Sequence, residues 1–199
     1  MTKNASLVQP FIHNIIMTMN QKQLETLRKN NEESRDFVKS CFRFALMIIL
    51  KDKNNKKLTI TRLCQIAGVS RMAFYRNYKT LEDVLEDEIR QFALSLAKGI
   101  GTDVYNNWLH LFQLAEQKHD DLNAIIEAGF ETKILEVFLS LAPESEESRT
   151  IQMMWISIFC TMMIKWLKEQ KPKKAEDMAR LAFKYTKNLP LVTIDLPYN

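Results

Sequence analysis

Over residues 70–79, Ser70, Arg71, Tyr75, Arg76 and Lys79 bring together a hydroxyl, two guanidinium forks, a phenol and an ammonium. That set suits phosphate and base-edge recognition. A guanidinium donates two parallel hydrogen bonds to a phosphate or a guanine edge, while hydroxyls and ammoniums hold phosphate oxygens. Phe74 and Tyr78 are four apart and share a helix side with Val69, so Arg71, Met72, Ala73, Tyr75 and Arg76 are directed outward or along a groove wall. Ser70 and the amides that follow it would seat a phosphate at the start of this helix. Other chemistries have little support. Cys41, Cys64 and Cys160 are scattered without CxxC spacing, and His13, His110 and His119 are dispersed, so no metal site is expected. Glu144, Glu146 and Glu147 cluster, but acids at a helix start account for them. No Ser/His/Asp or Cys/His spacing suggests a nucleophile. Neither catalysis nor a cofactor is expected.

Short helices must position that basic cluster. Thr59 is a plausible N-cap, followed by Ile60, Leu63, Cys64 and Ala67 on one face, and Gly68 supplies the positive φ of a tight exit. Ser70 caps a second helix from Arg71 to about Tyr78, and Thr80 with Asp83 approximates a capping box for a third. Ahead of them, a helix from about residue 32 to 51 carries Phe37, Val38, Cys41, Phe44, Ala45, Ile48 and Ile49 at three- and four-residue steps, which predicts its core face. The polar run from Lys51 to Lys57 reads as a loop. Two short helices about a glycine turn, behind a longer support, form a helix-turn-helix, whose second helix enters the DNA major groove. The competing reading is a structural hairpin with surface arginines.

The segment Thr59 to Lys79, and above all Ala67-Gly68-Val69-Ser70, Phe74-Tyr75 and Tyr78-Lys79, resembles the DNA-binding signature of the TetR family of transcriptional regulators. The resemblance covers the front third of the chain, the extension at its start excluded. It implies an all-α homodimer with a three-helix DNA-binding unit and a larger C-terminal domain that binds a small effector and dimerises; most such proteins are repressors. It also implies that Tyr75 and Lys79 contact phosphates, that Asn77 takes the place of a phosphate-binding histidine, and that Thr59 and Ser70 touch backbone. Arg71 and Ala73 would face bases. Thr61, Met72 and Arg76 complete the expected DNA-binding set. Met72 stands where a small residue is common, Leu81 where a lysine is frequent, and Tyr78 replaces phenylalanine, so its hydroxyl needs a partner if buried.

Charge distribution agrees with that reading. Between Arg28 and Lys79 thirteen Lys/Arg face four acids, a local net of +9, whereas from Gln91 onward twelve face fourteen. A basic front joined to a mildly acidic remainder fits a nucleic-acid-binding head on a different working part. With 199 residues, 46% of them apolar, the chain builds one sizeable core or two small ones. Four glycines and five prolines disfavour a glycine-rich phosphate loop or a turn-dense β-sandwich. The longest apolar stretches, such as Phe44 to Leu50, fall short of a membrane span, and the first residues lack a secretory signal. A soluble cytoplasmic protein with reduced cysteines is expected.

Three parts follow: an extension over 1–31, a DNA-binding domain over 32–80 and a ligand-binding and dimerisation domain over 81–199. The extension carries Val8, Phe11, Ile12, Ile15, Ile16 and Met19 on one helical face. Beyond Leu81 the pattern is helical throughout. Tyr105, Trp108, Phe112, Phe138 and Met154 are candidates to line an effector pocket. A helix beginning near Pro143 is apolar on nearly every side and needs cover from two directions; a symmetry mate supplies one. Trp155, Phe159, Met162 and Trp166, with Met178, Leu181 and Tyr185 of the last helix, are the expected interface. The sum is a DNA-binding regulator, a repressor of a double-stranded operator, controlled by a small-molecule effector. The alternative is a TetR-like regulator or adaptor that acts through a protein partner, with the extension as its contact.

Overall fold

The computed structural model describes residues 29, 32–52, 57–142, 146–169 and 173–190. The extension with its apolar stripe, most of the lysine-rich loop, residues 143–145 and residues 170–172 lie outside them. The described residues form nine α-helices and no strand. α1 spans residues 32–51, followed by α2 (Ile60–Ala67), α3 (Arg71–Asn77), α4 (Leu81–Ala97) and α5 (Val104–Gln117). Then come α6 (His119–Glu127), α7 (Glu131–Ser140), α8 (Glu146–Leu167) and α9 (Ala175–Thr186). The fold is all-α.

Side-chain caps set the boundaries of the front helices. Thr59 Oγ1 accepts the Arg62 amide at 3.2 Å, and Ser70 Oγ accepts that of Ala73 at 3.2 Å. Between them Gly68 adopts φ 66°, which lets the Val69 amide reach back to the Cys64 carbonyl at 3.1 Å. Thr80 and Asp83 form a complete capping box. Asp83 accepts the Thr80 and Lys79 amides, and these donors hold its carboxyl below the usual range. Each such cap contributes about 1 kcal/mol.

A continuous apolar core runs from α1 to α9. On α1 it takes Phe42, Ala45, Leu46, Ile49 and Leu50, not the whole expected stripe. Phe37, Phe44 and Ile48 remain 70%, 68% and 40% exposed. α1 is apolar on two sides, and the side carrying Phe42 wins because its ring meets those of Phe74 and Tyr78 edge-on at 5.5 and 6.0 Å.

In the body, α9 packs along α5, while α7 contacts both α4 and α8. The buried Trp108 indole N–H donates to Thr186 Oγ1 at 2.7 Å, so the first helix of that pair is pinned to the last. His110 rests its ring over Gly99, with Nε2 3.0 Å from the Leu96 carbonyl; a Cβ at Gly99 would fall 2.2 Å from that nitrogen. α8 corrects the expectation about long apolar runs. Ser148–Leu167 is long and apolar enough to cross a membrane by length and composition, with a mean hydropathy of 1.3. Its Phe159, Cys160, Met163, Trp166 and Leu167 are buried in the protein core. Single-letter reading missed it because Gln152, Ser157 and Thr161 interrupt the run without adding charge.

Candidate nucleic-acid interface

α3 is two-sided. Phe74 is fully buried between Phe42 and Tyr78, and Tyr78 closes the helix at 6% exposure. On the opposite side Arg71, Met72, Tyr75 and Arg76 are exposed, as is Lys79 just beyond the helix. Met72 is 67% and Tyr75 52% exposed, and the Tyr75 ring leans edge-on against Phe74 at 5.3 Å. The phenol is therefore held at its root and free at its tip. Ser70 and Thr61 are also exposed, while Thr59 and Ala73 are half-buried, Thr59 serving as the α2 cap.

Asn77 departs from its expected role. Its Nδ2 donates to the Ala73 carbonyl at 2.8 Å, and its Oδ1 is buried without a hydrogen-bond partner. The amide is turned inward along α3, where it takes the second lone pair of the carbonyl one turn back.

A charged cluster fastens α3 to the body. The Tyr78 hydroxyl donates to Asp87 Oδ2 at 2.5 Å, and Arg43 Nη1 donates to the same oxygen at 2.9 Å. Arg43 Nε also stands 3.5 Å from Glu88. Burial alone would raise the Asp87 carboxyl, but Tyr78 and Arg43 outweigh it and hold the group below the carboxylate range. Burial, with the bond to Asp87, pushes the Tyr78 phenol far up, so it stays a donor. Burial also raises Glu88. A second tie, Lys51 to Asp121 at 2.5 Å, joins the end of α1 to α6. Sequence reasoning missed Arg43, Asp87 and Glu88; the requirement of a buried Tyr78 hydroxyl for a partner was the available signal.

Beside these front helices, α4, α5, α7 and α8 line a partly open cavity of about 140 Å³. Of the expected pocket residues, Trp108 and Phe138 line it. Tyr105, Phe112 and Met154 do not: Tyr105 packs on Phe183 of α9, and Phe112 is fully buried in the core between the rings of Trp108 and Trp166. Trp155 and Phe159, expected at a subunit interface, line the cavity, together with Gln152 and Asn107.

The remaining interface candidates divide by burial. Phe159, Trp166 and Met178 are buried within the protomer, so they cannot also face a partner. Trp166 is held there by its N–H bond to the Lys173 carbonyl at 2.8 Å. Trp155 and Met162 are half-buried. Leu181 and Tyr185 are 39% and 71% exposed, with Met153 of α8 at 36%.

No protein-family model and no curated protein matches the sequence. Among solved structures, the chain is similar to a TetR transcriptional regulator from Streptococcus agalactiae 2603V, with a TM-score of 0.56 at 16% identity. The match covers 79% of this chain and 97% of that one. The chain has a TetR-type fold.

Proposed function

We propose that this protein is a sequence-specific DNA-binding transcriptional regulator, a repressor that acts as a homodimer and is released from its operator by a small effector. The observation that carries the reading is the two-sidedness of α3: Phe74 and Tyr78 anchor one side, while Arg71, Met72, Tyr75 and Arg76 stand free on the other. A helix presented in this way can enter a major groove with base-reading groups near its start and phosphate contacts around it. The resemblance of residues 59–79 to the TetR signature and the TetR-type fold support the same reading.

Dimerisation is supported by α8, which is apolar around its circumference while its buried side is already filled, and by exposed Leu181 and Tyr185 on α9. Two recognition helices about 34–36 Å apart engage successive turns of one duplex face. Effector control is supported by α4. Its Asp87 holds Tyr78, and its Ala93 and Leu96 line the cavity, so an occupant that prefers another placement of α4 also changes the spacing of the heads. The test is selection of duplexes from a randomised pool by the full chain at low salt, followed by binding of the selected site. Recovery of no preferred sequence, with no retention of duplex by the purified protein, sinks the proposal.

A further inference from the structure

We infer that the cavity takes an uncharged, ring-sized molecule that carries one hydrogen-bonding group paired with the Gln152 amide; this deepens the effector reading above. The lining contains no charged side chain, so an ionised ligand would lose its hydration without compensation. A volume near 140 Å³ matches a single benzene-sized ring. Trp108, Trp155, Phe138 and Phe159 offer aromatic walls. Nearly every polar group on those walls is already committed. Trp108 N–H is bound to Thr186, Trp155 N–H to the Pro190 carbonyl at 2.9 Å, and Asn107 bonds both ways to the Gly101 backbone. Gln152 is the exception: it is 8% exposed, lines the cavity and makes no side-chain hydrogen bond to another described residue. Its amide faces the cavity and is not sealed from solvent, so a ligand hydroxyl or carbonyl takes the place of water on it.

The test uses phenol, toluene and benzoate as probes, with calorimetry and thermal unfolding of the full chain. Phenol is expected to bind about tenfold more tightly than toluene, one decade being the scale of one net hydrogen bond, and benzoate not to bind. Gln152→Leu, which removes an unpaired amide and should fold at least as well, abolishes the preference while toluene still binds. Ala93→Leu fills the space and abolishes all binding. Benzoate binding as tightly as phenol, a preference unchanged in Gln152→Leu, or no probe binding at all overturns the inference. Duplex affinity measured with and without phenol separates the two readings: affinity unaltered by a bound probe counts against effector control and leaves the ligand class standing.

Discussion

Tyr78, at the exit of α3, and Asp87, two turns into α4, share a 2.5 Å hydrogen bond that also recruits Arg43 of α1. Three helices thus meet at one carboxylate. Tyr78→Phe keeps the ring packing against Phe42 and Phe74 and removes only the donor. A hydrogen bond to a charged group is worth about 1.5–3 kcal/mol, so the variant should unfold at lower urea with an unchanged slope. A midpoint equal to wild type would show that the bond contributes nothing.

The same carboxylate predicts a pH dependence. The folded Asp87 carboxyl lies below its unfolded value of about 3.9, so its contribution is fully present above that pH and is lost as pH falls through the folded value. Glu88 acts in the opposite sense. Its folded carboxyl is raised, chiefly by burial, so ionising it costs stability as pH rises from about 4.3 through the folded value. Glu88→Gln should therefore flatten the stability profile just above the carboxylate range, and Asp87→Asn should flatten it below. Urea titrations between pH 2.5 and 7 read both slopes.

On the proposed function, Arg71→Ala should cost about 1–3 kcal/mol on the selected site and relax preference at one base position. Tyr75→Ala should weaken all duplexes by a similar factor, since a phosphate contact carries no sequence information. Competition titrations against selected and scrambled duplexes distinguish the two patterns. Arg71→Ala that loses affinity equally for both would reassign Arg71 to the backbone.

Gly99 is fixed by its neighbour, not by its own φ. Gly99→Ala places a methyl carbon 2.2 Å from His110 Nε2 and must drive the ring off the Leu96 carbonyl. Overpacking of this kind costs about 1–3 kcal/mol. Adding His110→Ala should recover part of the loss, and a double-mutant cycle on thermal unfolding measures the coupling. Strict additivity would sink the account.

The legible parts of this fold were those with local causes. Thr59, Ser70 and the Thr80/Asp83 pair mark the starts of α2, α3 and α4 through side-chain bonds within three residues, and Gly68 ends α2 through its positive φ, so sequence alone places them. The outward and inward sides of α3 were legible for the same reason: Phe74 and Tyr78 leave one way to bury an aromatic pair. Asn77 was not, because the helix carbonyl one turn back competes with any outside partner. α1 and α8 were ambiguous because each is apolar on more than one side, and the choice rests on distant rings such as Phe74 for α1 and Phe112 for α8. Trp155 and Phe159 were placed at an interface because periodicity tells that a face is apolar, not whether it meets a partner, a cavity or the protein's own core.

The bond from Trp108 to Thr186 has a temporal consequence. During synthesis the indole emerges from the ribosome long before its acceptor, 78 residues later. Until α9 is released, the nascent body carries an indole donor without its protein acceptor and an uncovered apolar flank on α5. A stop codon or a proteolytic cut before Thr186 would therefore leave a chain that has its front helices yet cannot close its body, and quality-control proteases would be expected to clear it.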